Sequence, residues 1–234
     1  MKAIIFAAGL GSRLKPLTDS TPKALLKVNG KTLLAHAVEK LQEAGVTEII
    51  VNVHHLAEQI ISYLKHNSYH RIKFTISDER DLLLDTGGGL KKAAVFFNDN
   101  CPFFAYNVDI LTDLNLSEML RFHCTHNPLA TLAVSKRETD RYLLFDDKMH
   151  LKGWTNVKTG ETLPQNIDIE RFEKRAFSGI HIINPDLFLF LNKTGCFPII
   201  PEYLNLCNKH RIIGFDHSGC RWKDMGKPEA YITK

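Results

Sequence analysis

Apolar and polar positions along the chain switch repeatedly between a continuous run, a period of two and a helical period. Residues 3–8 (AIIFAA) form a short apolar run with β-branched and aromatic members, which predicts a buried strand of a parallel sheet, and the glycines directly behind it predict a tight turn. Residues 25–31 alternate and then break at Asn29-Gly30, the pattern of a short edge segment with a turn. Leu33, Leu34, Ala37, Val38 and Leu41 recur at helical spacing, with Thr32 placed to cap the start and Gly45 just past the end. Residues 49–53 then read as a second buried strand, 56–64 as an amphipathic helix and 72–77 as a third strand.

The second half repeats the alternation and then changes it. A polar, leucine-bearing loop over 78–85 runs into Thr86-Gly87-Gly88-Gly89, and a helix is expected over 90–97. Residues 101–111 predict one buried strand that carries a carboxylate, Asp109, near its end. A further strand is expected over 129–135, and 142–145 with 149–151 form an antiparallel hairpin about a polar turn, where sheet direction changes. Residues 188–191 and 199–209 are helical candidates, the latter introduced by Pro198 and Pro201. The order β-α-β-α predicts an α/β fold, a mainly parallel, Rossmann-like mixed sheet flanked by helices.

Composition narrows the class. The 234 residues suit a single domain over 1–234 that needs no disulfide or metal staple, and neither an internal repeat nor a low-complexity linker divides them. With 44% hydrophobic and 24% charged residues, no apolar stretch approaches the ~18 residues of a membrane span. A formal charge of +4 with dispersed lysines does not imply nucleic acid or a membrane surface as partner. Five cysteines, at 101, 124, 196, 207 and 220, include no C-x-x-C pair and are expected to be reduced thiols of a cytoplasmic protein. His54-His55 lacks acidic companions at ligand spacing, which disfavours zinc.

The candidate chemistry starts behind the first strand. Gly9 and Gly11 let the backbone turn and bring its N–H groups close to an anion. Arg13 adds a fixed fork of donors and Lys23 a mobile point charge, two ways of holding a polyphosphate. A secretory leader is disfavoured because the apolar run is short and is followed at once by glycine, serine and charge. The G-x-G-x-x-G fingerprint fails because Leu14 stands at the third glycine, and Gly-Lys-Ser/Thr of a Walker A loop is absent.

Ala7-Ala8-Gly9-Leu10-Gly11-Ser12-Arg13, Pro16-Leu17-Thr18 and Thr21-Pro22-Lys23, together with Trp222-Lys223-Asp224-Met225-Gly226, resemble the signature of the sugar-1-phosphate nucleotidyltransferases. The resemblance covers most of the chain. It implies nucleotide contacts from Ala8, Gly9, Leu10, Gly11 and Ser12, with catalytic cations Arg13 on the β and γ phosphates and Lys23 on the α-phosphate or the incoming sugar phosphate. Asp109 and Asp224 would be the two ligands of Mg2+, and Asn107 would join the nucleotide site. Glu79, with Gly87 and Gly88 of the following loop, would recognise the base, while Tyr142 and Gly179 would line the sugar pocket on a small antiparallel sugar-side insertion.

Three departures qualify the resemblance. Val108 replaces the glycine of an Asn-Gly-Asp motif, where a side chain is expected to intrude on the ribose or phosphates. Leu143 replaces the glycine of a Tyr-Gly pair, and no counterpart of a Glu-Lys-Pro segment stands between Lys152 and Glu173. The short chain, with no room for the C-terminal β-helix of longer relatives, and Leu84-Asp85-Thr86-Gly87-Gly88-Gly89 look most like the N-acetylmuramate α-1-phosphate uridylyltransferases of peptidoglycan recycling. UTP and that sugar phosphate are therefore the expected substrates. The alternatives are mannose-1-phosphate guanylyl transfer, a glucose-1-phosphate transferase and phosphocholine cytidylyl transfer. From other classes, a nucleotide-sugar-dependent glycosyltransferase leaves Arg13 and Lys23 unexplained, and a non-catalytic nucleotide-binding protein has only Val108 in its favour.

Overall fold

A computed structural model describes residues 1–67 and 69–231. In chain order the strands and helices begin with β1 (Lys2–Phe6), β2 (Lys27–Val28), β3 (Lys31–Thr32), α1 (Leu33–Glu43), β4 (Glu48–Val53), α2 (Ala57–His66), β5 (Lys73–Asp78) and α3 (Asp85–Lys92). They continue with β6 (Phe103–Asn107), β7 (Ile110–Thr112), α4 (Leu116–His126), β8 (Ala130–Ser135), β9 (Arg141–Phe145), β10 (Leu151–Asn156) and β11 (Glu161–Leu163). Last come β12 (Glu173–Ile183), α5 (Ile199–Leu206), β13 (Ile212–Asp216) and β14 (Trp222–Asp224).

Ten strands share one sheet in the order β11-β10-β9-β12-β6-β1-β4-β5, with β8 also on β12 and β13 on β8. The β6-β1-β4-β5 part is parallel throughout, and β12 turns the sheet antiparallel by pairing against β6, β8 and β9. The antiparallel part is thus continuous with the main sheet. Along β1, Ala3 and Ile5 pack into the core under α1, α2 and α4, while Ile4 and Phe6 pack into a second core with Leu90, Phe103 and Tyr203. Alternate residues of a strand point to opposite faces, so a strand covered on both faces reads as an unbroken apolar run.

Local signals explain several elements. Thr32 Oγ1 accepts from Ala35 N at 3.1 Å and caps α1, and the turn between β2 and β3 has φ of 51° at Asn29 and 79° at Gly30. The polar turn of the β9–β10 hairpin is held by Asp146, which accepts from Lys148 N and His150 N.

Three expectations are corrected. The glycine run lies inside α3 and not in a loop ahead of a helix at 90–97, where a short 3-10 segment (Ala93–Phe96) follows instead. A Cβ at Gly87 would lie 2.5 Å from the Phe197 ring, and one at Gly88 2.1 Å from the carbonyl of Gly195, so these glycines permit backbone contact between α3 and the segment before α5. The single strand expected over 101–111 is two, β6 and β7, with Val108 and Asp109 in the turn between them. That turn frees β7 to leave the main sheet and pair antiparallel with β14, Ile110 opposite Asp224. Finally, the helical candidate over 188–191 is the end of a 3-10 turn (Pro185–Leu189).

Candidate active site

The site is built at the carboxyl ends of the parallel strands, where open α/β sheets bind ligands. Leaving β1, the N–H groups of Ala7 and Ala8 donate to Oδ1 of Asn52 at 2.7 and 3.2 Å, a residue that stands beside Phe6 in the β1–β4 register. Asn52 Nδ2 in turn donates to Oε1 of Glu79 at 2.8 Å, and Oε2 of Glu79 accepts from Leu84 N at 3.2 Å. A chain of three buried polar contacts therefore aims the first residues of the loop. Among the described residues, no protein acceptor takes the N–H groups of Gly9, Leu10, Gly11 or Ser12. These four remain open to an anion. Gly11 has φ of 65°, and its carbonyl accepts from Thr18 Oγ1 at 2.9 Å, which closes the loop on itself.

Lys23 lies across the loop. A Cβ on Gly9 would fall 3.7 Å from Lys23 Nζ, and the same ammonium donates to Asp109 Oδ2 at 2.8 Å with both side chains largely buried. Asp109 is joined to β14 by its carbonyl, which accepts from Met225 N at 2.8 Å, and Asp224 Oδ1 accepts from Gly226 N at 2.8 Å. The position that a Cβ on Gly226 would occupy is 2.6 Å from Asp109 Oδ2, 2.9 Å from Asp224 Oδ1 and 3.0 Å from Arg13 Nη2. One point thus lies within hydrogen-bond distance of two carboxylates and a guanidinium, with the ammonium on one of those carboxylates.

That donor set suits a hard divalent cation. Mg2+ takes oxygen ligands and keeps several waters and phosphate oxygens, so Asp109 and Asp224, whose oxygens both approach Gly226, form a sufficient protein contribution. No group of three or more His, Cys, Asp or Glu side chains gathers among the described residues, so a closed protein cage is not offered elsewhere.

Other expected positions fall into place differently. Asn107 and Gly179 meet: Gly179 has φ of 78°, and a Cβ there would lie 3.0 Å from Asn107 Nδ2. Tyr142 is half-buried, its hydroxyl accepting from Thr139 N at 3.1 Å. Ala8 spends its N–H on Asn52, and Gly87 and Gly88 spend theirs on the carbonyl of Phe197 at 2.8 and 3.1 Å, so none of the three offers that group to a nucleotide. Glu79 is 1% exposed with both oxygens engaged, and burial raises its pKa. Its place is beneath the loop, positioning it, and not at the surface of a base pocket. Val108 is fully buried in the core with Tyr106, Ile110 and Met225 and is not in the left-handed region, so its side chain does not enter the site as expected.

Two residues at or beside the site are not singled out by the sequence. Asn52 has a signal there, a lone amide within the apolar strand 49–53. Arg137 has none; its guanidinium lies 3.9 Å from the centre of the Trp222 ring.

A mixed sheet with a parallel half, and at its strand ends a glycine loop with unpartnered N–H groups facing two aspartates and two cations, defines an α/β protein whose site suits an anion. Residues 2–234 match the Nucleotidyl transferase family, and the chain belongs to it. It is 30% identical over 236 residues to the mannose-1-phosphate guanyltransferase of Yarrowia lipolytica, and 31% identical over 245 residues to that of Aspergillus oryzae. The whole chain is covered in both alignments, yet it spans 62% and 63% of those relatives' lengths. A UDP-glucose pyrophosphorylase solved with UDP-glucose has the same fold, with a TM-score of 0.80 at 19% identity over 98% of this chain and 95% of the other. Among the described residues, no helix is long and apolar enough to cross a membrane.

Proposed function

We propose that this chain transfers a nucleoside monophosphate from a nucleoside triphosphate to a sugar 1-phosphate, releasing pyrophosphate. The observation that carries the reading is the convergence of Asp109, Asp224 and Arg13 around the space above Gly226, with Lys23 on Asp109. The acceptor phosphate oxygen attacks the α-phosphorus in line and no protein nucleophile is needed, so the side chains act by positioning and by neutralising charge. The open N–H groups of Gly9–Ser12 and the Arg13 fork bind the leaving pyrophosphate portion. Lys23 stands between the loop and Asp109, where it follows charge that builds on the α-phosphate. A divalent cation such as Mg2+, held by Asp109 and Asp224, supplies further charge neutralisation when bound.

For substrates, GTP and mannose 1-phosphate are the preferred reading, supported by two relatives at 30% and 31% identity that carry that activity in their names. The expectation of UTP with N-acetylmuramate α-1-phosphate, and with it peptidoglycan recycling, finds no such support and gives way. A pyrophosphate-release screen of GTP, UTP, CTP, ATP and dTTP against mannose, glucose and N-acetylmuramate 1-phosphates and phosphocholine tests both levels. GTP with mannose 1-phosphate should give the highest kcat/KM. Release with another pair would replace the substrates and keep the reaction, and no release with any pair would overturn the reaction.

A further inference from the structure

The cations so far described, Arg13 and Lys23, both belong to the connection between β1 and β2, and Lys23 is already paired with Asp109. A sugar 1-phosphate brings roughly one and a half to two negative charges at neutral pH toward two aspartates, and its approach needs a counter-charge on the side away from that loop. Arg137, just past β8, is placed for this. Its guanidinium lies on the face of Trp222, and Trp222 and Asp224 are alternate residues of β14, which puts the indole and the carboxylate on one face of that strand.

The surroundings hold the guanidinium without satisfying it. Trp222 Nε1 donates to the carbonyl of Ser178 at 2.9 Å, immediately before Gly179, and Arg137 Nη2 donates to the carbonyl of Phe177. Arg137 Nε is buried with no acceptor, and among the described residues no carboxylate pairs with the side chain. Asp224 and Tyr142 contribute to the field it feels, and burial works against its charge. A half-buried cation without a carboxylate partner is costly, and a transient anion relieves that cost.

Resting on the transfer reaction proposed above, we propose that Arg137 is a substrate-binding residue that receives the phosphate of the incoming sugar 1-phosphate, held flat for that purpose against Trp222. A planar fork fixed on an aromatic face presents its donors to a phosphate with little ordering left to do. The alternative is that Arg137 only packs Trp222 and ties down Phe177.

Arg137→Met keeps much of the packing and removes the charge, and Arg137→Lys keeps the charge without the fork. KM for the acceptor should rise about 10- to 100-fold in Arg137→Met and less in Arg137→Lys, with NTP affinity by equilibrium dialysis unchanged. An unchanged acceptor KM in Arg137→Met, or a parallel loss of NTP affinity in both variants, would overturn the assignment. Should the wild type release no pyrophosphate with any pair, the reaction falls, and the residue is judged by calorimetric titration with mannose 1-phosphate and with inorganic phosphate. Binding to the wild type that is lost in Arg137→Met supports the site, whereas equal binding, or none to the wild type, overturns it.

Discussion

Burial shifts a carboxylate on one side of the sheet and imidazoles on the other. On the side of the glycine loop, Glu79 is a buried carboxylate, bonded to Asn52 and Leu84 N, with its pKa raised by desolvation. On the side of β8 and β12, three imidazoles are buried: His123 on Thr131 Oγ1, His181 on the Tyr203 hydroxyl and His217 on Ser178 Oγ. Burial lowers the pKa of all three, to about 4 for His123 and about 3 for His181. Through Glu79, acid therefore favours the folded state beneath the loop, while on the other side it charges imidazoles that the folded protein keeps neutral. The loop side joins its groups in one polar chain across the ends of β1, β4 and β5, whereas on the far side each imidazole has its own hydroxyl partner.

The seam between the two sides should be the most sensitive place. Asp109→Ala and Asp224→Ala each remove an oxygen donor from the shared space above Gly226, and turnover with Mg2+ should fall about a thousandfold or more while thermal unfolding stays cooperative. Turnover near that of the wild type in either variant would dissolve the proposed centre. Next in size is Gly226→Ala. The added methyl would sit 2.6 Å from Asp109 Oδ2 and 2.9 Å from Asp224 Oδ1, and Gly226 has no positive φ to complicate the reading. Spreading the carboxylates by about 1 Å should lower kcat on the order of a hundredfold with little change in stability. A kcat within threefold of wild type would mean the carboxylates need not act from this spacing.

Acid separates the two sides directly. Between pH 6.5 and about 4 the unfolded chain protonates His123 and His181 while the folded chain does not, so stability is present above pH 6.5 and lost as pH falls. Each histidine contributes a slope of roughly 1.4 kcal/mol per pH unit in that window. Glu79 has the opposite sign, because its folded pKa is raised and lowering the pH through it favours the folded state. Hydrogen exchange from pH 7 to pH 4.5 should deprotect β8 and β12 before β1 and β4, and His123→Gln should flatten the stability profile by about one proton. Uniform deprotection, or an unaltered slope in the variant, would remove the contrast. The smallest effect concerns Val108→Ala, which should cost about 1.5 kcal/mol in stability for two lost methyl groups and leave NTP selectivity unchanged. A selectivity change would bring position 108 back to the site.

How far the sequence reached can be judged residue by residue. The strand at residues 3–8, the Thr32 cap and the Asn29-Gly30 turn were legible because each rests on contacts within a few residues. Arg13, Lys23, Asp109 and Asp224 are singled out by their motifs, and the structure brings all four together. The glycine run was misread because glycine permits both a loose turn and a close helix contact, and only Phe197 and Gly195, far along the chain, decide between them. Val108 was misread because a residue in a turn can face either the site or the core.

By itself the sequence determined the alternation of strands and helices, the glycine turn behind the first strand and the identities of the charged groups, since periodicity, capping and side-chain chemistry act over short stretches. Tertiary structure alone decided which oxygens share the space above Gly226, that Glu79 lies under the loop, and that Arg137 rests on Trp222. Burial and side-chain direction depend on what packs from the other side. The turn at Val108 and Asp109 and the pairing of β7 with β14 create that other side from one segment at the middle of the chain and one far beyond it.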